Sequence, residues 1–417
     1  MSSLPFDSKP LEVTTAQAII LETIGFAGVE RVSLTEALGR VLWEEMIAPA
    51  DIPPHPNSAM DGYAVRAADL AECSAESAAR LKVVADLPAG YVPQAPLGPG
   101  EAIRIMTGAP IPDGADSVVM VERTAKDGEF VKVFKPTRPT ENIRPRGEDI
   151  RTGDVLMQPG AQLQAAEIGT LAAIQRAFVT VARRPLVAIL STGDELVEVD
   201  EPLTPGKIVN SNAYSLVSLV REAGGVPIHL PLVRDSREAL KQAIIQALAA
   251  DVVVSSGGVS VGDYDYVKPV LLEMGLEPKF WRVRMKPGKP LLYGILHGKP
   301  YFGLPGNPVS SMLTFLLFAR PALRKLMGYP ASSWHLPQIT AVTESDIRTK
   351  GDRPTFLRAN VSYQNGQFVA KAMASQGSGV LSSMLGAEGL IFLEEGTSAV
   401  AAGQTVPVLL IRNPFRF

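Results

Sequence analysis

A single cysteine, Cys73, in a chain of 417 residues excludes an internal disulfide and any zinc site built on cysteine. Histidine is nearly as scarce: His55, His229, His297 and His335 are scattered with no metal-ligand spacing. A metal ion, if one takes part, is therefore expected to be a hard cation on oxygen ligands, Mg²⁺ before Zn²⁺. Neither sign of charge dominates. The 40 basic and 43 acidic residues leave a formal net charge of −3, without the clustered basic residues of a nucleic-acid binder. The longest apolar run, Met312–Ala319, is far too short to span a bilayer. The opening MSSLPFDSKP has neither the charged nor the apolar region of a secretory leader. These absences point to a reduced, soluble, cytoplasmic protein with no nucleic-acid or membrane partner.

What is present fits a folded multidomain chain. Hydrophobic residues make up 46% and charged residues 20%, and the length suggests roughly two to four domains. The 34 prolines and 36 glycines imply many turns and short strands. Residues 11–46 read as helical, with Ala16, Ile19, Ile20 and Ile24 near a 3.6-residue period and Thr14 or Thr15 as cap. In DIPPHPNSAMDGYA (51–64) the prolines forbid helix. Short runs at Leu81–Ala85, Ala102–Met106, Ser117–Val121 and Val131–Phe134, divided by Pro/Gly turns, read as a small β-rich domain over 51–142. A helix at Ala165–Ile174 is expected to pack back on the N-terminal helix, so that 1–50 and 143–180 form one discontinuous domain.

Over 181–328 the pattern changes. Apolar strands (Leu186–Leu190, Val226–Val233, Asp251–Ser255, Phe280–Val283) alternate with helices (Ala213–Ala223, Ser236–Ala249, Val309–Met327). That alternation predicts a doubly wound α/β domain with a mostly parallel sheet, whose ligands bind beyond the strands' carboxyl ends. Residues 329–417 return to short strands, a second small β-domain. The predicted class is thus α/β plus β.

The unusual residues fall at those strand ends. Ser191-Thr192-Gly193-Asp194-Glu195 follows a buried strand, and its two carboxylates suit a hard cation, although a solvated turn explains them equally well. In Ser255-Ser256-Gly257-Gly258-Val259-Ser260-Val261-Gly262-Asp263-Tyr264-Asp265 the glycines let backbone N–H groups approach an anion, and the acids would meet a bridging cation there. It is neither a Walker A loop nor a dinucleotide fingerprint. Lys286-Pro287-Gly288-Lys289 makes a braced positive spot suited to a tetrahedral oxyanion. Pro305-Gly306-Asn307-Pro308 reads as a helix start with Asn307 as cap, facing the same crevice. Asp61 in SAMDGYA and Thr107 in TGAPIP each look structural when taken alone, and Arg358 with the Ser375–Gly379 turn adds a guanidinium and hydroxyl donors. Acids on some loops and cations on others fit a Mg²⁺-bound phosphoanhydride beside a second oxyanion.

Together the strings NSAMDGYA, MTGAPIPDGADSVVMVE, NIRPRGEDI, STGDELVE, SSGGVSVGDYD, KPGKPLLYG and FGLPGNPVS resemble the MoeA family, whose eukaryotic relatives include the gephyrin E domain. They occur in the family's order over about residues 10–330. The resemblance implies a four-domain subunit, a homodimer, and a reaction in which adenylylated molybdopterin and molybdate give molybdenum cofactor and AMP with Mg²⁺. It implies metal ligands among Asp194, Glu195, Asp263 and Asp265, and catalytic roles for Asp61, Thr107, Glu195, Asp235 and Asp265. Substrate and phosphate would meet Ser191, Thr192, Gly193, Ser256, Gly257, Gly258, Ser260, Gly262, Pro305, Gly306 and Asn307. Molybdate would meet Lys286, Lys289, Arg358 and Ser378, and Asp61 and Thr107 would reach the other subunit's crevice. Partners implied are the adenylylating enzyme of the pathway and molybdoenzymes. One departure is Gly379, where His or Ser is expected beside Ser378. Competing readings are a molybdopterin adenylyltransferase of the same superfamily, against which the extra β-domains stand, and a non-catalytic scaffold, which would have no use for the acids and lysines.

Overall fold

The computed structural model describes residues 9–258 and 266–415. Its centre is an α/β unit built from β1 (Leu186–Ser191), α1 (Ser211–Ala223), β2 (Val226–His229), α2 (Arg237–Ala247), β3 (Val252–Ser256), α3 (Val267–Glu273), β4 (Glu277–Arg282), β5 (Pro290–Leu296) and β6 (Lys299–Leu304). The sheet order is β2-β1-β3-β6-β5-β4. The first four strands run parallel, while β5 and β4 are antiparallel additions. The β5–β6 hairpin turns at His297 and Gly298, both at positive φ, the geometry that matches strand twist.

Period-two alternation with both faces buried explains why Leu186–Leu190 of β1 and Val252–Val254 of β3 are apolar. Val187, Ile189, Val252 and Val254 face one core with α1, and Ala188, Leu190 and Val253 face the other with α2 and α3. Local signals set the helix ends: Asn210 and Ser236 accept from Ala213 N and Ala239 N, and Gly224 closes α1 at φ 101. After β6 come α4 (Pro308–Thr314), a π-helical turn at Phe315–Ala319, and α5 (Arg320–Leu326). Asn307 holds the position before α4 with Pro308 first in the helix, but its side chain makes no capping bond, contrary to expectation.

The N-terminal reading needs two corrections. Val13–Thr23 is α-helical and Leu34–Glu36 a 3₁₀ turn; Val29–Ser33 is a strand paired antiparallel with Phe178–Ala182, since Gly25 and Gly28 (φ 99) stop the helix and the alternation beyond them suits a ladder. The helix also does not pack on Ala165–Ala173. Ala16, Ile20 and Ile24 join the central core, and Gln17 Nε2 donates to Leu317 O at 2.9 Å. Leu171 of the 165–173 helix packs instead with Leu42, Met46, Val179 and Val181.

Two β units flank the centre. One is a six-stranded sheet in the order Ser117–Met120, Gly62–Val65, Glu101–Ile105, Ala79–Leu87, Phe130–Val133, Thr124–Asp127. The other is a closed five-stranded barrel between Gln338 and Leu410, which leaves no open edge. Among the described residues no helix is long and apolar enough to cross a membrane.

Candidate functional site

A crevice opens where β1, β3 and β6 end, a cavity of about 530 Å³ bordered by Thr192, Glu195, Asn212, Ser256, Gly257, Gly306 and Asn307. Parallel pairing sets Ser191 of β1 beside Ser256 of β3, and Thr192 N donates to Ser256 O at 3.3 Å. Ser191 and Thr192 are 2% and 4% exposed, yet their hydroxyls find no protein partner among the described residues. Buried hydroxyls left so are expected to meet a bound group.

Gly257 and Gly258 form the turn out of β3 at φ 91 and φ 64. A Cβ on Gly257 would stand 2.8 Å from Thr192 O, and one on Gly258 2.1 Å from Val267 Cγ2. Both conformation and space therefore demand glycine. Gly258→Ala is expected to destabilise by about 2–3 kcal/mol, seen as a lowered melting midpoint; an unchanged midpoint would mean that α3 shifts freely.

The acids of the STGDE turn meet a residue from the β2–α2 connection. Asp194 N donates to Asp235 Oδ2 at 3.3 Å and Asp235 N to Asp194 Oδ1 at 3.2 Å, while Lys207 Nζ donates to Asp194 O. Desolvation pushes the Asp235 carboxyl above its ordinary pKa, and the charges of Asp194 and Glu195 push it further, against a bond from Asp194 N. Among the described residues no three His, Cys, Asp or Glu side chains converge as a metal cage. The donor chemistry nevertheless fits Mg²⁺: hard oxygens whose mutual repulsion a cation would relieve, with room for water or phosphate oxygens. Ser260, Gly262, Asp263 and Asp265 lie outside the described residues.

The four expected oxyanion residues are split. Lys286 and Arg358 share a cavity of about 310 Å³ between the central unit and the barrel, together with Gln376. Lys289 borders a different one, of about 510 Å³, with Arg284 and Arg353. Arg358 is fully buried. Its Nε donates to Ser383 Oγ at 3.2 Å and its Nη2 to Ser375 O and Gly377 O at 3.1 and 3.0 Å, while Nη1 has no partner among the described residues. Burial without a carboxylate lowers the guanidinium pKa. The turn so held brings Ser378 O to Val309 N at 3.0 Å and sets Gly379 on the crevice wall.

In the six-stranded unit, Thr107 donates to Asp61 Oδ1 from both its N–H and its hydroxyl, each at 2.7 Å, holding that exposed carboxyl below the usual range. Asp61 and Thr107, separate motifs in the sequence, are one cluster.

Asn212 went unread in the sequence, where a polar residue opening a helix signals only a cap. Its Nδ2 donates to Ser256 Oγ and to Gly306 O, each at 2.8 Å, tying the ends of β3 and β6 together.

Three family models match the chain in order: "MoeA N-terminal region (domain I and II)" over residues 11–174, "Probable molybdopterin binding domain" over 188–325, and "MoeA C-terminal region (domain IV)" over 340–411. A molybdopterin molybdenumtransferase of Nostoc sp. is 42% identical over 385 residues, covering 91% of this chain and 88% of that protein. One of Haemophilus influenzae is 36% identical, covering 95% and 98%. The crystal structure of a molybdopterin biosynthesis MoeA protein from Pyrococcus horikoshii superposes with a TM-score of 0.82 at 33% identity, covering 97% of this chain and 100% of that one.

Proposed function

The chain belongs to the MoeA family, and on that premise we propose that its crevice binds adenylylated molybdopterin and releases AMP as molybdenum is inserted. The enzyme is a molybdopterin molybdenumtransferase of molybdenum cofactor biosynthesis. The observation that carries the proposal is the pairing of an acid-rimmed crevice with unpartnered buried hydroxyls and, beyond the 375–379 turn, a cavity bearing Lys286 and Arg358.

The Ser191 and Thr192 hydroxyls would hold phosphate oxygens at the strand ends, the Gly257 N–H being already given to Leu304 O. Asp194, Glu195 and Asp235, together with Asp263 and Asp265, would hold Mg²⁺. Bound there, Mg²⁺ would offset the phosphate charge and polarise phosphorus. Lys286 would hold molybdate as a point charge and Arg358 would add the free N–H of its guanidinium. The attacking oxygen would form a bond to the AMP phosphorus as the phosphoanhydride P–O bond breaks and the molybdopterin phosphate leaves; attack by water gives AMP directly, and attack by molybdate gives an adenylyl-molybdate that water then hydrolyses to AMP. The dithiolene sulfurs that receive molybdenum belong to the substrate, so the lone, buried Cys73 is not needed. That single reduced thiol also supports a cytoplasmic setting.

Titrating AMP into the protein with and without Mg²⁺ tests the crevice assignment. Wild-type protein is expected to bind more tightly with Mg²⁺, and Asp194→Asn to lose that gain; an undiminished gain would remove the acids from the site.

Among the described residues the Asp61–Thr107 cluster makes no hydrogen bond to the crevice of its own chain. In a homodimer it would complete the partner's site. Coexpression of Asp61→Ala and Lys286→Ala chains, each expected to be silent alone at limiting molybdate, is then expected to restore one working site per mixed dimer, read as AMP release at that molybdate concentration. No restoration in purified mixed dimers would confine both groups to one chain.

A further inference from the structure

We infer that Asn212 is a specificity residue, its carboxamide oxygen accepting a hydrogen bond from an amino group on the heterocycle bound in the crevice. The inference rests on the crevice holding adenylylated molybdopterin. Asn212 stands in the first turn of α1, on the crevice wall. Gly306 O, 2.8 Å from its amide, can only accept, so the group facing it must be the NH₂. The second amide hydrogen goes to Ser256 Oγ, also at 2.8 Å. Both donors are therefore spent within the protein, and two bonds hold the amide plane in place. Among the described residues no donor reaches Oδ1, which leaves an acceptor for the ligand.

An acceptor is wrong for phosphate, whose oxygens it would repel. It suits the ring amino group carried by both ends of this substrate, adenine at one and the pterin at the other. The same bonds set the Ser256 hydroxyl: having accepted from Asn212, it retains its own hydrogen for a ligand oxygen, which suits the expected phosphate contact. Asn212 would then divide the crevice, with Ser256 and Thr192 on the phosphate side and Oδ1 on the ring side.

Ligand pairs differing at that amino group test this. AMP is compared with purine riboside 5′-monophosphate, and pterin with lumazine, by equilibrium titration against wild type and Asn212→Ala, after a melting curve confirms that the variant folds. Wild type is expected to bind the member lacking the amino group roughly tenfold more weakly in one pair, and Asn212→Ala to bind both members of that pair alike. The pair that responds identifies the ring. If wild type discriminates in neither pair, or the variant keeps the discrimination, the inference is overturned. Should Asn212→Ala not fold, Asn212→Ser, which withdraws the acceptor from the cavity, is read against the same two outcomes. Failure of wild type to bind AMP or pterin at all would instead overturn the crevice assignment, and the inference with it.

Discussion

Replacing Arg358 by Met is expected to lower molybdate-dependent AMP release by about a hundredfold, while stability changes by no more than about 1–2 kcal/mol. Two effects oppose each other. The guanidinium donates to Ser375 O, Gly377 O and Ser383 Oγ, and losing three charge-assisted bonds destabilises. Against this, a buried cation that among the described residues has no carboxylate beside it and one nitrogen without a partner is itself unfavourable, and an apolar side chain of similar length removes that penalty. The terms are of similar size, so the fold is expected to survive while the proposed oxyanion site is expected to be lost. Melting curves and molybdate titrations on one preparation separate the roles. A collapse in stability with an unchanged molybdate dependence would make Arg358 a clamp for the 375–377 turn and nothing more.

The double change Asp194→Asn with Asp235→Asn is expected to reduce Mg²⁺-dependent AMP release by about a thousandfold, and at neutral pH to raise the melting midpoint. The sign follows from Asp235, whose pKa is raised in the fold by desolvation and by its acidic neighbours. A raised carboxyl pKa means that the folded state holds the proton more tightly than the unfolded one. Stability is therefore lost as pH rises through the folded pKa, and the loss is absent below the ordinary carboxylate range. Amides remove this penalty at pH 7, and the advantage should vanish in melts near the bottom of that range. A double variant that is active, or less stable at pH 7 than wild type, would contradict both halves of the argument. Acids that repel one another fit the proposed cation site, since a bound cation would relieve the repulsion.

The α/β class is readable because Leu186–Leu190 and Val252–Val254 are uninterrupted apolar runs separated by helices with clear caps at Asn210, Ser236 and Gly224. The helical reading of 11–46 went too far because Val29–Ser33 shows its strand character only through its partner at 178–182, about 150 residues away. For the same reason Asn212 was invisible: its partner Gly306 lies 94 residues on, and local sequence offers only a polar helix start. Asp194 and Glu195 were visible as adjacent acids, but their effect on Asp235 depends on the β2–α2 connection folding back beside them. Lys286 and Lys289 look like one site in KPGK, yet the chain turns at buried Gly288, with a Cβ there only 2.8 Å from Thr314 Cγ2, and the two lysines border different cavities.

On the proposed function, loss of AMP and entry of molybdenum are one coupled event across two adjoining cavities. AMP release from adenylylated molybdopterin, followed with Mg²⁺ present and molybdate either supplied or withheld, tests it most directly. Release that appears only with molybdate, saturates with it, and needs more of it in Lys286→Ala is the predicted result. Release at the same rate without molybdate, or none in either condition from folded protein, would contradict it.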